Sequence, residues 1–499
     1  MSAFQNYKYI FYDLETTGQN PCFDQVIRFA AKETDSNLEI INEYNINIKL
    51  RNDIIPHPKA LLVNRLSISD LNDGLNEYEA YKEIHTIMNQ PNTINIGYNS
   101  LSFDDSFLRF GFYRNLLDTY THQFNNKFRA DLYKMIFIYY LYKKDESIIW
   151  PTPNNRLSLR LEEINRINNL YEGMSHDAEV DVFVTIELAK KLKKIDHKMW
   201  DYLISSFVSK NDRNYFNNLN TLTCIDESHY KIGVFISNKN GLKSNYASPV
   251  IELCTAYENG QKREKKKRLL RLDNYVFEDF TEENFVTKIQ KGILSKTFGE
   301  PNFILPFSDK YLRIFNEYII GLAKSNLDWL KHHPKAMKNL IKEYQNTEYT
   351  NEYTVDLDAS LYQSTEQGGG WFTNEEKSYR IKFHNLDIEN KVDFYQKLES
   401  DNSLLRIQNI VLRILGRNYF DFIPEQLQNK YSKYLNSILH KAPITSDFSD
   451  KMRVDPNLLL KETRDILKND NLSIDDKKIL DELENYILMK IETQQDLGF

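Results

Sequence analysis

The sequence predicts an α/β protein of several parts, and three observations carry that reading. Strand signals precede helix signals in residues 1–200. Short strand-like stretches recur through residues 201–352. Residues 353–499 carry one helical pattern after another. A length of 499 residues, at roughly 150 residues per domain, suits that three-part division.

In the first part, Tyr7–Leu14, Val26–Thr34 and Glu39–Leu50 are rich in β-branched and aromatic residues and read as a strand meander. Ile94–Tyr98 reads as a further strand. Helices are expected at 104–116, at Leu159–Ile167 and at 178–194. In the last of these Val180, Phe183, Val184 and Leu188 recur at helical spacing. The result is a mixed sheet with flanking helices. In the middle part Lys231–Ser237, Pro249–Thr255, Leu269–Val276 and Phe303–Pro306 read as strands of a small barrel. In the last part helical patterns at 387–400, 401–416, 424–440, 455–468 and 474–493 predict an all-α extension.

Composition excludes several classes. Hydrophobic residues make up 41% and charged residues 27%, the balance of a cored globular protein. No apolar run reaches the ~18 residues that span a bilayer, and the opening MSAFQNYKYIFYD lacks a signal-peptide core. Cys22, Cys224 and Cys254 fit neither a zinc motif nor a disulfide framework. A cytoplasmic chain without membrane contact is expected. The formal net charge of −7 argues against a polycation that holds nucleic acid by bulk charge. The charge is uneven, however. Residues 1–200 carry 23 basic and 27 acidic side chains, residues 201–350 carry 22 and 18, and residues 351–499 carry 19 and 26. Only the middle is net basic. Its densest basic run is Lys262–Arg268, and Lys331, Lys335, Lys338 and Lys342 recur at helical spacing. Each is either a solvated face or part of a path for a polyanion.

Three motifs carry chemistry. The first is Asp13-Leu14-Glu15-Thr16-Thr17-Gly18 at the end of an apolar strand. Residues two apart share a strand face, so Asp13 and Glu15 project together. Buried like charges repel and cost desolvation energy, which a divalent cation offsets. On an edge strand the same acids are merely solvated. The second is Phe103-Asp104-Asp105, where a strand and polar loop enter a helix. Either acid caps that helix, or one faces a site. The third is His176-Asp177-Ala178-Glu179-Val180-Asp181, entering the long helix. Five helical residues turn through ~500°, so His176 and Asp181 meet only if His176 sits in the preceding loop. There a histidine suits general-base work. Otherwise Asp177 caps the helix and His176 is solvated. Four carboxylates and a histidine make a set for two-metal phosphoryl chemistry, with oxygen donors that select Mg²⁺ or Mn²⁺.

Taken in order, D-x-E-T-T-G, F-D before a helix and H-x4-D on a late helix resemble the DEDDh 3′–5′ exonucleases. Gly97-Tyr98-Asn99, Phe112-Tyr113-Arg114-Asn115, Ser158–Glu162, Asp358–Tyr362 and Arg417-Asn418-Tyr419 narrow the likeness to the exodeoxyribonuclease I family, over nearly the whole chain. That resemblance implies an RNase H-like nuclease domain at 1–200, an SH3-like domain at 201–352 and a helical domain at 353–499. It implies processive 3′→5′ degradation of single-stranded DNA to 5′-mononucleotides in repair and recombination. It also implies a monomer that docks the acidic tail of single-strand-binding protein. By motif, Asp13, Glu15, Asp104 and Asp181 would hold two Mg²⁺ ions, with Mn²⁺ able to substitute, and His176 would deprotonate the attacking water. Glu15, Arg160, Arg109, Tyr120 and Phe124 would contact DNA. An exoribonuclease or a proofreading subunit shares the carboxylates but lacks this C-terminal extension. A single-strand-binding scaffold with a silent nuclease fold is the non-enzymatic reading.

Overall fold

Apolar alternation ending in two acids makes the first strand, β1 (Lys8–Thr16). The computed structural model describes residues 4, 6–144, 147–173, 177–241, 246–258, 261–300, 302–347, 355–363, 370–399, 404–439 and 446–495. Strand β1 pairs antiparallel with β2 (Val26–Thr34), which pairs antiparallel with β3 (Ile40–Asn47). After helices α1 (Pro58–Asn64) and α2 (Glu77–Met88), β4 (Thr93–Gly97) pairs parallel with the other edge of β1. The strand order β3-β2-β1-β4 therefore puts β1 inside the sheet, where its acids cannot escape to an edge. Tyr12 and Leu14 enter a core with Phe29, Tyr81, Ile84 and Phe107. Helix α3 (Asp104–Arg114) supplies Phe107, Leu108 and Phe112 to the same core.

The chain forms two compact bodies. One comprises Tyr7–Lys127, Glu172–Phe183 and Glu352–Phe499, and the other Met1–Asn6, Phe128–Tyr171 and Val184–Asn351. The bodies cut across the three expected segments, because the C-terminal helices pack with the β1–β4 sheet. Strand β5 (Lys127–Asp131) leads out of the first body into α4 (Leu132–Lys143) and α5 (Leu161–Asn168). Helix α6 (Ala178–Ile195) begins in the first body and runs into the second, followed by α7 (His197–Ser206) and α8 (Ser209–Asn217).

The second body holds a mainly antiparallel sheet. Strands β6 (Leu222–Ile225), β7 (Ser228–Ile236), β8 (Ala247–Glu258), β9 (Gln261–Arg271), β10 (Ile293–Thr297) and β11 (Phe303–Pro306) pair in the path β10-β9-β8-β7-β11, with β6 on β7. The basic run Lys262–Arg268 lies within strand β9. Its cations face acids of β8: Arg263 and Lys266 pair with Glu258, and Lys267 with Glu252. The later lysines do not share one helix. Pro334 starts a new helix, so α9 (Glu317–His332) carries Lys331, and α10 (Pro334–Gln345) carries the other three. Lys331 pairs with Asp328 and Lys338 with Asp226.

The C-terminal helices α11 (Asn374–His384), α12 (Ile388–Leu398), α13 (Leu405–Asn418), α14 (Glu425–Leu439), α15 (Pro456–Leu467) and α16 (Ile474–Gln495) extend the first body. Their apolar faces join residues of the N-terminal sheet region in shared cores, such as Tyr78, Phe110 and Tyr113 with Phe383, Ile407 and Val411. Asparagine 374 starts a helix that the sequence reading passed over, with Thr373 and Glu376 forming a capping box.

Candidate active site

Period-two alternation sends Tyr12 and Leu14 into the core and Asp13 and Glu15 to the other face of β1. A bulge after Glu15 ends regular pairing, and the chain turns at Gly18. A Cβ at Gly18 would lie 2.4 Å from the side chains of both Asp24 and His57, so a larger residue there would force those side chains to move. Glu15 is 8% exposed and Asp104 is 4% exposed. Asp104 is the first residue of α3, and Asp181 lies in the first turn of α6.

These four carboxylates act on one another electrostatically. Burial first, then the charges of Asp104, Asp181 and Glu15, push the Asp13 carboxyl well above its usual range. Burial first, then Asp181, Asp104 and Asp177, push Glu15 up to about 8, against a smaller lowering by Arg28. Three separate chain elements thus bring four acids to one buried place. Their charge is under-compensated, a condition that favours protons or cations there. Among the described residues, no three acidic, histidine or cysteine side chains stand in ready-made coordination of one ion. The donors are nonetheless hard oxygens in a concentrated negative field, which fits a divalent cation drawing them together.

The structure separates the paired acids of the second motif. Neither caps α3, whose flanking residue is Phe103. Asp105 turns inward and is fully buried. It accepts a hydrogen bond from Tyr12 Oη at 2.9 Å and from Arg109 Nη2 at 3.2 Å. Asp104 faces the carboxylate group. In the third motif Asp177 does cap: its Oδ1 accepts from Glu179 N at 3.0 Å, and its Oδ2 pairs with Arg28 Nη1 at 3.0 Å. His176 lies outside the described residues. Arg28 stands opposite Glu15 in the β1–β2 register. Sequence reading missed Arg28 and Tyr12 and left Asp104 and Asp105 undivided, because only strand register and packing separate their roles.

Of the expected DNA contacts, Arg109, Tyr120 and Phe124 belong to the first body. The Arg109 guanidinium lies over the Tyr120 ring at 5.5 Å, and Phe124 is 50% exposed. Arg160 belongs to the second body, where it precedes α5 and stands 3.6 Å from Glu162. That body also holds a cleft of about 720 Å³. Tyr142, Met199, Tyr202 and Leu219 line it, with Lys198 and Lys310 among its cations.

A family model described as Exonuclease matches residues 10–189, the stretch that carries all four acids. Metal dependence is general in that family. The chain is also similar to exodeoxyribonuclease I of Buchnera aphidicola from Schizaphis graminum, 25% identical over 479 residues, or 93% of each chain. It is 34% identical to Escherichia coli exodeoxyribonuclease I over 205 residues, covering 40% of this chain and 43% of that protein. A solved zinc-bound complex of E. coli exonuclease I with single-stranded DNA shares the fold. Its TM-score is 0.79 at 20% identity, over 97% of this chain and 100% of that one. The mixed sheet, RNase H-like exonuclease fold and helical C-terminal region expected from sequence are therefore present. No helix among the described residues is long and apolar enough to cross a membrane.

Proposed function

We propose that this chain is a 3′→5′ exodeoxyribonuclease that degrades single-stranded DNA to 5′-mononucleotides. One observation carries the reading: four mutually repelling carboxylates, two buried and two half-buried, from three chain elements, within a stretch that matches the exonuclease family. Asp13, Glu15, Asp104 and Asp181 would hold two Mg²⁺ ions, with Mn²⁺ able to substitute. Bound there, the ions supply an activated water and charge stabilisation for the leaving oxygen. Glu15 would also meet the terminal nucleotide. The Asp177–Arg28 pair fixes the start of α6 against β2, which orients Asp181. His176, one residue before that cap, would take the proton from the attacking water at its imidazole nitrogen. Arg109, Tyr120, Phe124 and Arg160 would grip the strand through phosphates and stacked bases.

The ranges 1–200, 201–352 and 353–499 would act as nuclease, SH3-like DNA-binding and helical parts of a cytoplasmic monomer in repair and recombination. Docking of the acidic tail of single-strand-binding protein belongs to the same reading. The apolar cleft with its Lys198 and Lys310 cations supports it, since such a tail needs both.

Release of mononucleotides from 3′-labelled single-stranded DNA, duplex DNA and RNA tests the reading, each with Mg²⁺ and with EDTA. Preference for single-stranded DNA and loss in EDTA are expected. Equal turnover of RNA would favour the exoribonuclease alternative, and no turnover the silent scaffold. His176→Ala should lose about 10²–10⁴-fold in rate while keeping most DNA affinity.

A further inference from the structure

Asp13 and Asp104 each have a chain neighbour that turns away from the acids. Alternation on β1 sends Asp13 to one face and Tyr12 into the core. Adjacent residues on a helix point about 100° apart, so at the start of α3 Asp105 leaves the direction of Asp104. The two neighbours are buried, and they meet. Tyr12 Oη donates to Asp105 Oδ1 at 2.9 Å, across 93 residues of sequence. One hydrogen bond therefore joins the two elements, a single residue away from the acid that each one contributes.

The surroundings stiffen that joint. Asp105 Oδ2 accepts from Arg109 Nη2 at 3.2 Å, one turn further along α3, and His122 Nε2 lies 3.7 Å from Oδ1. The Asp105 carboxylate thus has a countercharge inside the fold, whereas the main charged neighbours of Asp13 are other acids. A hydrogen bond to an ionised acceptor is roughly twice as strong as a neutral one. Tyr12 shares its core with Phe107 and Leu108 of α3. The backbones crowd as well: a Cβ at Gly97, the last residue of β4, would lie 2.5 Å from the Ser100 side chain and 3.1 Å from the Tyr12 carbonyl. The chain that leads from β4 to Asp104 therefore runs against the strand that carries Asp13. Acids that repel one another need a restraint of this kind, because their own charges drive them apart.

We propose that Tyr12 is a positioning residue: through Asp105 it holds Asp13 and Asp104 in the arrangement that takes up divalent cations. The proposal rests on the nuclease reading and deepens it. Neither Tyr12 nor Asp105 touches DNA or metal in this role. Each acts through its peptide neighbour, in the way that outer partners of metal ligands do.

The test is a Mg²⁺ titration of the DNA-free protein, read from the rise in melting temperature, with hydrolysis of single-stranded DNA run in parallel. Tyr12→Phe removes one O–H and keeps the ring. Its half-saturating Mg²⁺ concentration should rise about 10-fold and its kcat should fall about 10-fold, the low end for an outer partner of a metal ligand. KM and binding of an oligothymidylate in EDTA should stay within about twofold of wild type. Asp105→Asn keeps an acceptor for Tyr12 and should fall between the two. Tyr81→Phe is the structural control. It removes a buried O–H that donates to the Phe107 carbonyl of α3 at 3.3 Å, in the same core, and should leave the half-saturating Mg²⁺ concentration where it is. A Tyr12→Phe titration that matches wild type overturns the proposal. So does an equal shift in Tyr81→Phe, which would mean general loosening, or a matching loss of DNA binding in EDTA, which would mean a direct contact. Should Tyr12→Phe fail to fold, Asp105→Asn against Tyr81→Phe carries the same comparison. A wild type without turnover or Mg²⁺ response fails the nuclease reading and this proposal together. A wild type with both, alongside a normal Tyr12→Phe, sinks only the positioning role.

Discussion

Two groups of buried carboxylates lie in the same body, and their surroundings push them in opposite directions. At the end of β1, Asp13 and Glu15 have other acids as their main neighbours, and both carboxyls are pushed up. Around Arg51, four arginines meet four carboxylates. Arg51 pairs with Asp53 and Glu77, each at 2.8 Å, and Arg114 pairs with Glu77 at 3.0 Å. Arg417 pairs with Asp53 at 2.8 Å and Asp358 at 2.5 Å, and Arg413 with Asp356 at 2.8 Å. There the arginines outweigh burial, and Asp53, Glu77, Asp356 and Asp358 are all held below their usual range. Burial alone therefore does not make a reactive carboxylate. What differs is whether the fold supplies the countercharge or leaves it to come from outside.

The strongest way to break this contrast is to remove one charge from each group. Asp13→Asn should cut DNA hydrolysis by more than about 10²-fold, as loss of one electrostatic stabiliser does. In EDTA the same variant should melt at or above the wild-type temperature, because a repelling charge is gone. A lower melting point would contradict the under-compensated reading. Asp358→Ala should do the reverse. It leaves Arg417 with Asp53 alone and Arg413 with Asp356 alone, costing up to about 3–5 kcal/mol in urea unfolding, while turnover per folded molecule is spared. A loss below about 1 kcal/mol would show that the network contributes little beyond surface pairs.

Metal sharpens the comparison. Mg²⁺ at about 100 times its dissociation constant should stabilise the wild type by about 2.7 kcal/mol. Asp13→Asn should gain less, and Asp358→Ala should gain as much as wild type. An equal gain in all three would place the bound ion elsewhere.

A last contrast, confined to acid, concerns His384. Burial first holds its imidazole down from the ordinary 6.5 to about 4. It bridges the Leu116 carbonyl at 2.9 Å and Tyr78 Oη at 2.8 Å, which suits the neutral ring. The unfolded chain binds a proton near pH 6.5 that the folded chain refuses until about 4. Stability should thus be complete above pH 6.5 and fall as pH drops through that window. His384→Gln should flatten this part of the profile. An unchanged profile would assign the slope to other groups. The arginine-paired carboxylates also lose stability in acid, but below their ordinary pKa values.

How much of this was legible beforehand follows from the range of the interactions. The strand at Val26–Thr34 and the long helix from residue 178 were readable, because periodicity is local. The bearing of Asp13 and Glu15 on one face was readable for the same reason. The break at Pro334 was also written in the sequence, yet the lysine spacing across it suggested a single helix. Helix α11 was missed because Asn374–His384 is rich in Glu and Lys and carries little apolar periodicity.

The sequence by itself determined the acidic kit, its order and the alternation that buries it. Those depend on residues a few positions apart. Only the tertiary structure decided which acid of Asp104-Asp105 joins the site. Adjacent residues on a helix point about 100° apart, and Tyr12, some ninety residues away, claims one of them. Tertiary structure likewise decided that Arg263, Lys266 and Lys267 of the basic run pair with acids of β8, and that Asp53 and Asp358 share Arg417 across more than three hundred residues. Countercharge is a matter of distance in space, and distance in space is what a linear sequence does not state.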